Sequence, residues 1–329
     1  MHKAGHRAER RETGRRPESL AILAALPLAL LVAFASLSGI LRPVIYSQET
    51  PNWAAQTLGQ DWSDLLLAVP LISMAGWVAR TGSRRASLLL AGGMLYTFYE
   101  FVIYGFAIHV NALFLVYCAT LGVAFFALAG LALDFVQEDV SSWYHDDAPV
   151  RIAGVFLVVV GCVFTVGWLS DVIPALLAAT TPRTINEAGL ATNPVYVIDL
   201  SIVLPLHILA GISVFRRRRL GLVLAPILLT FGAIMALSIA GSIRTLQQRG
   251  LPASDAVATG MVGFGAANVL VLALLLHKFR SRPEQKRALS PSPEPPRQPA
   301  RLTTREPRAI PLTLQRRLPS TSPLGGRRR

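Results

Sequence analysis

Apolar stretches of about 20 residues alternate along this chain with short polar connectors, and a helix of that length crosses a hydrocarbon core of about 30 Å. The pattern predicts an all-α membrane protein of about eight transmembrane helices, at roughly 19–45, 62–79, 86–108, 111–135, 152–173, 195–215, 220–243 and 256–277. They form a helical domain over 19–278, between a polar, basic N-terminal segment (1–18) and a Pro-rich basic tail (279–329). The tail has no apolar periodicity and buries too little surface to offset its ordering entropy, so it reads as disordered. Ala33-Phe34-Ala35 resembles a signal-cleavage site. The long basic lead and the apolar residues beyond it favour a retained first helix, and cleavage would leave the remaining topology unchanged.

Composition agrees: 52% of the 329 residues are hydrophobic and 16% charged, where soluble domains carry about 25% charged residues. A net charge of +13 raises the question of nucleic acid, but its placement answers for topology. Positive residues cluster before the first helix (Lys3, Arg7, Arg10, Arg11, Arg15, Arg16), after the second (Arg80, Arg84, Arg85) and after the sixth (Arg216 to Arg219). The opposite side holds only Arg42, Arg183, Arg244 and Arg249. This asymmetry predicts a multi-pass protein of the cell membrane with both termini cytoplasmic. No nucleic-acid partner is needed, and the basic loops and tail suit anionic lipid headgroups. Only Lys3, Lys278 and Lys286 are lysines, a bias towards arginine that fits a GC-rich bacterial genome.

Two stretches echo one another. DLLLAVPLISMAG (64–76) and DLSIVLPLHILAG (199–211) share Asp, Pro and Gly at equal spacing, and both enter from outside and run towards an arginine cluster. RRASLLLA (84–91) and RRLGLVLA (218–225) follow them. Two explanations stand: coincidence between membrane helices, or a parallel 4+4 internal repeat related by an axis along the membrane normal. Pro70 and Pro205 lack an amide proton and free the carbonyls of Leu66 and Ser201, which predicts paired kinks facing the protein interior.

Among residues able to carry chemistry, Glu100 stands first, about 22 Å from the inner boundary at 1.5 Å per residue. Tyr96, Glu100 and Tyr104 share a helix face, with Tyr99 beside them. A carboxylate at that depth needs a partner or a wet cavity, and the phenols offer donors. A functional role and a structural hydrogen bond both remain open for it. Asp199, Val203 and His207 share another face, Asp199 near the outer boundary and His207 deeper. Asn193-Pro194 reads as an N-cap followed by the first helical position. Asp61 followed by Asp64 reads as an N-cap with an acidic N3 residue. Arg244 is the most available countercharge. Asp61, Asp64, Glu100, Asp171, Asp199 and Arg244 all fall on the outer side, forming either a polar vestibule or a ring of unrelated interfacial charges.

Phosphate-binding, zinc-protease and nucleophile-elbow motifs are absent from the sequence, and Cys118 and Cys162 stand apart as small hydrophobes, so no cofactor or metal is called for. GQDWSDLLLAVP (59–70), YTFYEFVIYGFA (96–107) and NPVYVIDLSIVLP (193–205) resemble segments of uncharacterised prokaryotic polytopic integral membrane proteins of about eight helices. That resemblance implies the membrane fold and no activity. Three functions stay open. The first is a transporter for a small molecule or ion, with substrate at Glu100, Tyr96, Tyr104, Asp199, His207, Asp64 and Arg244. The second is a scaffold, sensor or assembly factor binding an unknown protein through the tail and the acidic loop 138–147. The third is an intramembrane enzyme or a redox protein.

Overall fold

The computed structural model describes residues 19–280. The basic segment 1–18 and the Pro-rich tail beyond Arg280 lie outside the described residues. Eight of the described helices are long and apolar enough to cross a membrane. They are helix 1, Leu20–Leu41; helix 2, Pro51–Ala79; helix 3, Arg84–Ala107; helix 4, Phe114–Val136; helix 5, Val150–Leu177; helix 6, Pro194–Phe215; helix 7, Arg219–Gln248; and helix 8, Asp255–His277. Large apolar side chains such as Leu115, Phe126 and Val166 point outward and are exposed, a surface that lipid solvates and water does not. The chain is an all-α polytopic membrane protein, with one isolated β-bridge among the described residues, between Tyr144 and Phe279.

Several boundaries differ from the sequence pattern. Helix 2 begins at Pro51, eleven residues before the apolar run suggests, because the Thr50 side chain caps the amide of Trp53 and Pro51 occupies the first turn. Its first turns look like a loop because they are polar, yet Trp53, Thr57, Gln60, Asp61 and Asp64 fall on the protein-facing side and are buried. Helix 1 ends at Leu41 and passes into a short 3-10 turn, Pro43–Tyr46. Helix 5 runs through Pro174 to Leu177, and the connector after it contains a short helix, Arg183–Ala188.

Helices 1 to 4 pack as one ring of four and helices 5 to 8 as another, joined where helix 7 meets helices 2 and 3 and where helix 3 meets helix 6. Helices 3 and 7 form the centre: 72% of the apolar window of each is buried, against 28–39% in the other six. Gly92 permits their close approach, since a Cβ there would run into Thr230 and the Ile227 carbonyl.

The two echoed segments share a backbone feature. Asp64–Ala68 and Asp199–Val203 are both π-helical turns. In each, the aspartate carbonyl accepts from an amide five residues on, Val69 or Leu204, immediately before the proline. A wide turn thus stands ahead of each proline, but Pro70, Leu66 and Ser201 are exposed, so these segments do not turn their prolines to the protein interior as the sequence suggests. The following glycines match as well: Gly76 packs against Ala25 of helix 1, and Gly211 against Gly154 of helix 5.

At the arginine-rich end, the acidic loop between helices 4 and 5 is tied to the bundle. Arg84 pairs with Glu138 at 2.6 Å. Arg219 donates to the carbonyls of Phe135 (2.7 Å), Val136 and Glu138 (2.8 Å), closing the C-terminus of helix 4. Trp143 is fully buried against Phe135 and Phe279. Lys278 donates to Asp147, and this bond holds the Asp147 carboxyl below its usual range.

Candidate functional site

At the other end of the bundle, four buried carboxylates lie around helix 3, and tyrosines arranged along that helix serve three of them. Asp61 accepts from the Tyr46 hydroxyl on Oδ2 and the Tyr104 hydroxyl on Oδ1, both at 2.8 Å. Burial and the neighbouring Asp61 charge push the Tyr46 phenol well above its usual range, which keeps it a donor. Asp64 accepts from Tyr96 at 2.8 Å, Ser36 at 3.4 Å and Gln60 at 3.5 Å. The Tyr96 hydroxyl also meets Ser238 of helix 7 at 2.9 Å and receives a short bond from Gln60. Both aspartates are fully buried. Gly39 of helix 1 makes room for them, because any Cβ there would strike Asp61 and the Tyr46 hydroxyl. Asp61 is thus no N-cap: it lies deep in helix 2, and Thr50 holds the capping position.

Asp199, at the head of the second wide turn, accepts from the Tyr99 hydroxyl at 3.1 Å and the Trp168 indole at 2.7 Å. Its helix starts as the sequence suggests, with Asn193 capping the Val195 amide and Pro194 in the first turn. His207 does not pair with Asp199. Its Nδ1 donates to the Val203 carbonyl at 2.8 Å, which leaves Nε2 as the ring's acceptor.

Glu100 differs from the other three. It is 4% exposed, and among the described residues its carboxylate has no hydrogen-bond or ion-pair partner. The phenols that flank it on helix 3 extend past it to Asp64, Asp199 and Asp61 on other helices. A tyrosine reaches farther from the backbone than a glutamate, so neighbours on one helix face need not bond to each other.

Glu100, Tyr104, Asp199 and His207 line one cavity of about 810 Å³, bounded by helices 2, 3, 5, 6, 7 and 8 and by the short helix Arg183–Ala188. Asn52, Arg183, Glu187 and Ser254 mark its rim, and His207 and Gly232 lie at its deep end. Asp171 also lines it, accepting from Tyr196 at 2.5 Å and Thr184 at 2.8 Å. Of the described lysines and arginines, Arg183 alone contributes to the lining, and it is paired with Glu187 at 2.5 Å. Asp64 and Tyr96 are not part of that lining; with Asp61 they make a separate buried cluster. Arg244 is no countercharge to any of them: it is exposed and donates to Gln247 at 3.2 Å.

Sequence reasoning missed Gln60, Ser36, Tyr46, Trp168 and Ser238. For Gln60 a signal existed, since Thr50-Pro51 announces a helix on which residues 53, 57, 60 and 64 share a face. Nothing local to residues 36, 46, 168 or 238 marks them, because their partners lie on other helices. No family model, no curated protein and no solved structure matches this chain.

Proposed function

We propose that this integral membrane protein is a carrier of the transporter type, with its substrate site in the cavity between the two four-helix rings. The observation that supports this reading is Glu100. A carboxylate inside a membrane domain is expensive unless something neutralises it, and the surrounding protein supplies donors to its neighbours but none to it. A proton or a cationic substrate completes such a site. Positive-inside placement puts the arginine-rich end in the cytoplasm of the cell, with both termini, so the cavity rim faces outward. Helices 2 and 6 present their aspartates from matching wide turns, which supports two related four-helix units around the site.

The scaffold reading has less support. The acidic loop that would carry it has Glu138 on Arg84 and Asp147 on Lys278, so those charges are engaged within the chain.

The test is flux. Full-length protein is reconstituted into acid-inside vesicles carrying a quenched amine dye, and inorganic and organic cations are added outside in turn. Exchange of at least one cation for internal protons is expected with the wild type. Glu100→Gln is expected to bring the rate to that of protein-free vesicles while melting at a similar temperature. Wild-type traces equal to protein-free traces for every cation would remove the carrier reading.

A further inference from the structure

We infer that the cavity takes an organic ammonium ion, with Glu100 as its countercharge and aromatic rings as its walls. This substrate class rests on the carrier reading above.

Charge fixes the sign of the occupant. Glu100, Asp171 and Asp199 all line the cavity, and Arg183, the one arginine among its described lining residues, is already paired. An anion would meet these three carboxylates there, besides the Glu187 that pairs with Arg183. Among the described residues Glu100 is the lining carboxylate that lacks a partner, so a positive ligand satisfies it and removes the penalty of an isolated buried charge. Asp199 plays a different part. Its two donors, Tyr99 and Trp168, are themselves wall residues, so it positions rings and does not wait for a ligand.

Ring geometry and size then separate an organic cation from a bare ion. Tyr99 stands edge-on to Phe231, with centroids 5.5 Å apart. Trp168 packs on Tyr196 at 4.8 Å. These two pairs flank Asp199, and the faces of such rings attract cations through their quadrupoles. A volume of about 810 Å³ falls in the range of about 300–1,000 Å³ usual for small-molecule sites. Inorganic cations ask for a compact cage of oxygens. Among the described residues no three His, Cys, Asp or Glu side chains gather into a metal-holding group. His207 adds a free Nε2 acceptor at the deep end, suited to an N–H of a protonated amine.

The experiment is a titration of the purified full-length protein with benzyltrimethylammonium, followed by calorimetry, against its neutral isostere neopentylbenzene and against benzoate. The ammonium is expected to bind about tenfold tighter than the isostere, and Glu100→Gln to remove about that factor. Phe231→Leu, which keeps every carboxylate, is expected to weaken binding roughly threefold through the lost ring face. Arg244→Gln, outside the cavity, should bind as the wild type does. Equal affinity for the isostere, undiminished binding by Glu100→Gln, or preference for benzoate would overturn the inference. In the vesicle assay, exchange with sodium or potassium but with no ammonium ion also overturns it while leaving a carrier. Ammonium binding with no flux of any cation keeps the inference and removes the carrier.

Discussion

Asp61, Asp64 and Asp199 show how a membrane protein keeps carboxylates in its interior without lysine or arginine beside them. Each receives hydroxyl, amide or indole donors from other parts of the chain, and a buried acceptor stripped of such a partner is costly. Removing one donor should be felt. Tyr104→Phe leaves Asp61 with Tyr46 alone and is expected to lower stability by about 1–3 kcal/mol, read as a lower melting temperature in detergent. Glu100 was legible from sequence because a lone acidic residue in an apolar run stands out. Its isolation was not, since the reach of three tyrosines to other helices is a tertiary fact. Arg244 misled for the same reason: helical depth says nothing about which way a side chain points.

The eight elements themselves follow from hydrophobic run length, and the starts of helices 2, 3, 6 and 8 follow from capping side chains. Helix 2 was the exception, because its first turns bury polar residues and so imitate a connector. Close packing is set by small residues that periodicity does not mark. Between helices 3 and 7, Gly92→Val would place its side chain against Thr230 and the Ile227 carbonyl, at an expected cost of about 1–3 kcal/mol. Gly122 provides the control, because a methyl group added there would meet nothing within 4 Å and alanine is the better helix former: Gly122→Ala should leave the melting temperature unchanged or raise it. A fall of equal size in both variants would show that the helix 3–helix 7 contact does not govern the result.

At the scale of the molecule, the two ends differ in kind. The arginine-rich end is closed by its own acidic loop and by Trp143, while the other end holds the cavity. Thr184, exposed at the rim, gives a handle on both features. With Cys118 and Cys162 replaced, Thr184→Cys in intact cells is expected to react with a membrane-impermeant maleimide, and bound ammonium ion is expected to slow that reaction. Labelling that requires broken cells would reverse the proposed orientation. The matching wide turns of helices 2 and 6 also carry a consequence in time. A π-turn holds one residue more than an α-helix of the same rise, so inserting one residue into an α-helix would produce one. If the two halves descend from one four-helix ancestor, that residue entered before the gene was copied. A relative bearing it in one half alone would reverse the order of events.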